Sequence, residues 1–402
     1  MRLRALLLFV GTVVFVDTMF FAAVVPLLPR LSDEFELTKT AAGVLGGSYA
    51  AGTLALAIPA GIAAARFGVR RIVVLGLSLI VVSAIVFGLA QDAVVLTAAR
   101  FAQGIGGACT WAGSLAWLVG LAPAERRGEL IGAAMGAAIA GVLFGPVIGA
   151  AAVAIGRGAV FCGVAVLALA LIAVTMRLPR PRVATRVEGF GLARAAGSPG
   201  VRLGMLLILV PGLLFGAIDV LVPLGMDELG ATAGAIAAVF LIAAGLQALI
   251  APLAGRLSDR KGRLAPSRIG LGAGVVGCLL LTLPGSAVAL GVIMIVAAPG
   301  LGILWAPAMA MLSDSAERVG VDQALAFGVV NLGWGLGHTL GALGGPALAD
   351  VTSDDVTYFA MSAMCAVVLL GLTVRRPGAP PTQGETAVPS ESAAMNFGAP
   401  SS

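Results

Sequence analysis

Charge is what this sequence has least of. Its 402 residues include 25 Lys and Arg, 20 Asp and Glu, and one His. The net charge of +5 is small for that length, and the cations are scattered between apolar runs. No dense basic patch exists for nucleic acid. The four cysteines, Cys109, Cys162, Cys278 and Cys365, lie inside apolar runs without CxxC spacing. Neither a disulfide framework nor a metal site is indicated. A lone His offers no zinc spacing, no nucleophile–base constellation is present, and no GxxxxGK[ST] loop occurs for ATP. An enzyme and an ATP-driven pump are both poorly supported, and no cofactor is expected.

Apolar residues are abundant instead: 59% of the chain is hydrophobic, with a mean hydropathy of +1.05. Repeated apolar runs of this length indicate a polytopic membrane protein. The start, MRLRALLLFVGTVVFVDTMFFAAVVPLLP, has the basic end and apolar run of a signal peptide. It is too long for one, carries Asp17 and has no A-x-A site, so it reads as the first span. Twelve helices are predicted, near 5–29, 40–64, 72–91, 94–120, 130–153, 158–176, 203–226, 232–254, 268–286, 288–312, 324–349 and 354–374. With both termini cytoplasmic, 21 of the 25 Lys and Arg fall on the cytoplasmic side; Arg30, Lys39, Arg100 and Arg157 are the exceptions. That is the positive-inside bias, and a multi-pass protein of the cell membrane is expected.

The expected organisation is all-α. An N-terminal six-helix half spans 1–176, an Arg-containing cytoplasmic linker 177–202, and a C-terminal six-helix half 203–374. A Pro-, Gly- and Ser-rich tail covers 375–402 and should be disordered. The halves repeat. GIAAARFGVRR (61–71) corresponds to GRLSDRKGRLA (255–265), Gly106 and Trp111 to Gly300 and Trp305, and GVLFGP (141–146) to GALGGP (341–346). Internal repeats on this scale mark secondary transporters, with the substrate site between the halves near mid-membrane.

Residues 131–150, IGAAMGAAIAGVLFGPVIGA, are uncharged yet hold five Gly and one Pro, the poorest helix formers in water. At about 100° per residue, Ala134, Ala138, Gly141, Gly145 and Gly149 fall on one face. So smooth a face admits another backbone closely, which matters where packing holds helices together.

Three motifs now carry a resemblance, over about residues 1–375, to the major facilitator superfamily and within it to the twelve-helix drug:proton antiporters. The antiporter motif is met by Gly132, Gly141, Gly145, Pro146 and Gly149, with Ala150 in place of the last Gly. The helix-4 motif is present as Arg100, Gln103, Gly104, Gly106, Gly107 and Ala108. The loop motif appears twice, as Gly61, Arg66, Gly68, Arg70 and Arg71, and as Gly255, Asp259, Arg260, Gly262 and Arg263. Its first copy has Ala65 where the family has Asp. The resemblance implies that helix 5 packs on a helix of the other half and is bent by Pro146 to favour exchange over leak; plain small-residue packing is the alternative. DTMFFAAVVPLLP (17–29) also looks like the first helix of vesicular amine transporters, in which the aspartate faces the amine and proton pathway.

Asp17, Arg100, Asp219 and His338 are the ionisable groups set well inside apolar spans, each costly there and so a candidate for proton coupling. Asp17 is the expected proton carrier, against a structural Asp hydrogen-bonded to its neighbours. Arg100 is expected to reach toward it and modulate proton release. Asp219 reads equally as a second titrating site or a gate residue, and His338 as a titrating or simply packed group. Trp111, Trp305 and Trp334 lie deep and, with Met19, Phe20 and Phe21, would form an adaptable wall for flat or cationic ligands; core packing suits any one of them as well. Trp117 is expected at the membrane surface. The function expected is a monomeric, proton-coupled antiporter exporting hydrophobic or cationic small molecules. The alternative is a proton symporter or facilitator importing a small polar nutrient.

Overall fold

The computed structural model describes residues 3–123, 126–178, 197–320 and 323–374, and all regular structure among them is helical. Twelve helical units follow one another at the twelve expected ranks. These are α1 (Leu3–Ala22, continued by Val25–Leu27 and Leu28–Glu34), α2 (Lys39–Leu56 and Pro59–Phe67), α3 (Val69–Leu89), α4 (Ala93–Leu121), α5 (Arg127–Ile155) and α6 (Arg157–Arg177). The second six are α7 (Pro199–Glu228), α8 (Ala233–Lys261), α9 (Leu264–Leu280), α10 (Ala287–Gly302 and Trp305–Arg318), α11 (Gln323–Val351) and α12 (Asp354–Val374). Among the described residues, nine units are long and apolar enough to cross a membrane alone, and the two pieces of α2, bent by 50°, make a tenth. Most of the expected linker and the whole expected tail lie outside the described residues.

Prolines explain where spans bend without ending. Pro26, Pro29 and Pro59 each occupy the first turn of a new helical piece, where a missing N–H costs nothing. The first span therefore runs to Glu34, beyond its expected end at 29. Turns between spans use glycine where the backbone demands it: Gly68 and Gly262, equivalent in the two loop motifs, have φ of 94° and 79°.

Each half has its own apolar core; the first, built mainly from α1–α6, also takes in Val220 and Leu224 of α7 and Ala342 of α11, which join the halves at the seam. Glycine faces set the closest approaches. On α5, a Cβ at Gly141 would strike Thr18 and the Phe15 carbonyl, one at Gly145 would strike Ala22, and one at Gly149 would strike the Ala23 carbonyl. The smooth face therefore lies on α1 of its own half, while a different face of α5 packs on α8 of the other half. Leu143, about 200° around the helix from Gly145, approaches α8 at Gly245. The second half repeats the arrangement, with Gly337, Gly341 and Gly345 of α11 packed on Leu209, Leu213 and Ala217 of α7. Gly132, by contrast, has open space around it.

The halves meet most tightly along α2 and α11. Gly43 approaches the Ala342 carbonyl and Pro346, and Gly47 approaches Ala342. Just beyond, Lys39 Nζ sits 2.8 Å from Asp354 and 3.3 Å from Glu228. Asp350 accepts from the Lys39 amide (3.2 Å), the Thr40 amide (2.7 Å) and the Thr40 hydroxyl (2.5 Å). One half thus caps a helix N-terminus of the other with a carboxylate, where the helix dipole favours it. The Lys39 end of the seam is closed. At the Arg263 end, the ion pairs among the described residues each stay within one half: Arg126 with Glu129 (2.9 Å) in the first, and Arg263 with Asp259 (2.6 Å) and Asp314 (3.0 Å) in the second.

Half-exposed ion pairs contribute about 1 kcal/mol together at most. The double variant Lys39→Ala/Asp350→Ala is accordingly expected to open this end about fivefold more often. A cysteine at Val25, in a background without the native thiols, would report it as faster labelling by a reagent added at that side. An unchanged labelling rate would mean the glycine seam alone keeps this end shut.

Candidate functional site

Asp17 is fully buried in α1. Its Oδ2 accepts from the Tyr49 hydroxyl (2.8 Å) and the Trp111 indole N–H (3.0 Å), while Oδ1 has no partner among the described residues. Room for the carboxylate comes from Gly107, where a Cβ would lie 2.6 Å from the Tyr49 oxygen and 3.0 Å from Oδ1. Three helices of the first half, α1, α2 and α4, therefore build the pocket.

Arg100 is 1% exposed and forms no salt bridge with Asp17. It donates instead to Gln103 (2.6 Å) and to the carbonyls of Phe20 (3.4 Å) and Phe21 (3.2 Å). α1 breaks at Ala22, so its last carbonyls lose their intrahelical donors, and a cation at a helix C-terminus is favoured. The guanidinium also lies 5.3 Å from the Tyr49 ring. Arg100 thus connects to Asp17 through Tyr49, rather than by the direct approach expected of it. The helix-4 motif acquires physical roles: Arg100 caps the break and is itself held by the Gln103 amide oxygen, Gly104 meets the α2 backbone at Tyr49, Gly106 meets α3 at Gly76, and Gly107 admits the acid.

A small cavity of about 20 Å³ crosses the seam beside this pocket. Phe21, Arg100 and Gly46 line it from the first half, and Asp219, Val220 and His338 from the second. That is room for about one water. Asp219 carries no hydrogen bond or ion pair among the described residues, and His338 Nδ1 is buried without a partner. The His338 ring stacks on Trp334 (5.3 Å) and meets Phe21 edge-on (5.5 Å). Phe21 in turn packs on Tyr49 (4.8 Å) and Trp334 (5.7 Å). An aromatic cluster therefore joins α1, α2 and α11 across the halves.

The structure gathers Asp17, Phe21, Arg100, Trp111, Asp219, Trp334 and His338 into one region. Other expected wall residues lie elsewhere. The Phe20 ring packs into the first core against Phe87 and Phe161, Met19 is buried where α5 crosses α1, and Trp305 packs on the second core. Trp117, one turn from the end of α4, is wholly buried in the first core, edge-on to Phe9 at 5.9 Å. The loop-motif residues are far from the acids in the chain fold: Arg66 lies over Phe67, and Arg70 donates to the Met176 carbonyl of α6. Tyr49 was missed. Its signal was rarity, as one of two tyrosines in the chain, on a helix of small residues. No group of three or more His, Cys, Asp or Glu among the described residues could hold a metal ion.

The model of the Major Facilitator Superfamily matches residues 10–321 and again 204–397. Multidrug resistance protein 1 of Bacillus subtilis (strain 168) is 25% identical over 364 residues, covering 88% of this chain and 92% of that protein. Among solved structures, the xylose transporter XylE from E. coli superposes with a TM-score of 0.72 at 18% identity, over 94% of this chain and 100% of that one. The nucleoside transporter NupG gives 0.74 at 12% identity, over 92% and 99%. Identities that low speak for the fold alone. Twelve helices in two six-helix halves, matched by the family model from end to end, are those of a transporter: the chain belongs to the Major Facilitator Superfamily.

Proposed function

We propose that this transporter is a proton-coupled antiporter that exports hydrophobic or cationic small molecules across the cell membrane, as a monomer with both termini cytoplasmic. One observation carries the reading: a buried carboxylate, Asp17, with one oxygen held by Tyr49 and Trp111 and the other unpartnered. A permanent charge at such depth costs about 2.5–3.5 kcal/mol on insertion scales. Retaining it makes sense when a proton and a cationic substrate neutralise it in turn. Alternation then couples the two fluxes: the acid releases one only where the other, or the aqueous phase, can reach it.

The surrounding aromatics suit the substrate class. Tyr49 and Trp111 contact the acid, and Phe21 and Trp334 pack next to Tyr49, so aromatic rings, whose faces attract cations, surround this region. The B. subtilis relative's name, a multidrug resistance protein, agrees with efflux. Import of a polar nutrient would require many side-chain amides along the path, and here Gln103 already bonds Arg100. Arg100 modulates proton release through Tyr49, and Asp219 and His338 sit at the seam as further coupling groups.

The test is export of a fluorescent lipophilic cation in inside-out membrane vesicles. Uptake driven by an acid interior and collapsed by a protonophore is the expected result. Protonophore-insensitive flux, or accumulation of a sugar or nucleoside in right-side-out cells, would overturn the proposal.

A further inference from the structure

Of the four cations that break the positive-inside bias, Lys39 closes the seam and Arg100 caps α1; Arg30 and Arg157 remain. The fold brings these two together. They line a cavity of about 200 Å³ with Leu27, Leu31, Glu34, Gly88 and Ala152, between the outer ends of α1, α3, α5 and α6. Arg30 donates to the Val153 carbonyl (3.0 Å). Arg157 donates through Nη2 to the Ala90 carbonyl (2.5 Å) and to Glu34 (3.4 Å). Its Nε and Nη1 are buried without a partner among the described residues. Glu34 offsets one of the two positive charges, so the cavity keeps a net charge of about +1.

Arg30 and Arg157 both line this polar cavity, and a guanidinium matches phosphate oxygens in a planar, two-point geometry. The flanking surface is apolar: Leu89 and Ile155 are 62% and 70% exposed, as side chains facing acyl tails would be. We infer that the cavity between Arg30 and Arg157 is an anion site for a phosphate monoester or diester, supplied by a phospholipid headgroup or by free phosphate. This site lies outside the Asp17 pocket and does not depend on the proposed direction of transport.

Thermal unfolding of the full chain in a non-ionic detergent, titrated with three probes, separates the sources. The probes are dioctanoyl phosphatidylglycerol, dioctanoylglycerol and inorganic phosphate. A saturable rise in unfolding temperature with the phospholipid alone is expected for a headgroup site, and an equal rise with inorganic phosphate for a free-anion site. Either response should weaken at least tenfold in apparent affinity in Arg157→Gln. Should that variant fail to fold, the exposed Arg30→Gln decides, with a loss of several-fold expected. Responses that neither substitution changes, or that dioctanoylglycerol reproduces, would overturn the inference.

Discussion

Asp17→Asn folds and inserts as the parent does, yet it fails to concentrate a cationic substrate against its gradient. The amide is the same size as the carboxylate, and its carbonyl can still accept from Tyr49 and Trp111. Its NH₂ would point where Oδ1 now stands unpartnered. Removing a buried charge relieves an insertion cost of about 2.5–3.5 kcal/mol, so stability should hold or rise. What disappears is the ability to alternate between proton and cation. Accumulation driven by a pH gradient should fall to background, cation binding should weaken at least tenfold, and that binding should lose its pH dependence. Transport assays and binding at two pH values read both effects. Neutral substrates would still exchange passively. Retained uphill transport with proton coupling would make Asp17 structural and pass its role to Asp219 or His338.

Gly145→Leu is expected to remove transport by a different route. A Cβ there would lie 2.9 Å from the Met19 carbonyl and from the Ala22 carbonyl carbon, both backbone atoms that cannot rotate away. Overpacking a tight interface costs about 1–3 kcal/mol, and a clash with main chain falls at the upper end. Because α1 also carries Asp17 and the break capped by Arg100, pushing α5 outward tilts the helix that positions the acid. Reduced thermal stability with loss of exchange, but continued membrane insertion, is the expected pattern. Full activity and unchanged stability would mean that α1 and α5 are not held together by this face.

Much of the fold was legible because bilayer thickness and backbone satisfaction leave few choices for apolar runs of this length. Twelve spans, two repeats and the glycine face of α5 could all be read from spacing. The partner of that face could not. Periodicity says which side of a helix is smooth but not which neighbour meets it, and α1 rather than the other half occupies it. Span ends were also misjudged where prolines start a new helical piece instead of stopping the chain, as at Pro26 and Pro29.

Within the site, buried ionisable residues announced themselves by cost, so Asp17, Arg100, Asp219 and His338 stood out. Their connections depended on tertiary geometry. Arg100 spends its donors on carbonyls freed by a helix break that hydropathy does not register. Tyr49 links that cation to Asp17 from a different helix, and its rarity on a small-residue helix marks it without naming that partner. Aromatics divided by direction: neighbours in sequence, Phe20 enters the core while Phe21 meets the seam.

Proton movement on substrate addition tests the central claim most directly. Purified protein would be reconstituted into vesicles without an imposed gradient, with a pH-sensitive dye inside and lipophilic cations added outside. The account predicts that the entry of cation carries protons out, so the interior becomes alkaline in proportion to substrate flux, and that Asp17→Asn abolishes the signal. Substrate flux without any pH change, or acidification as protons enter alongside substrate, would contradict it.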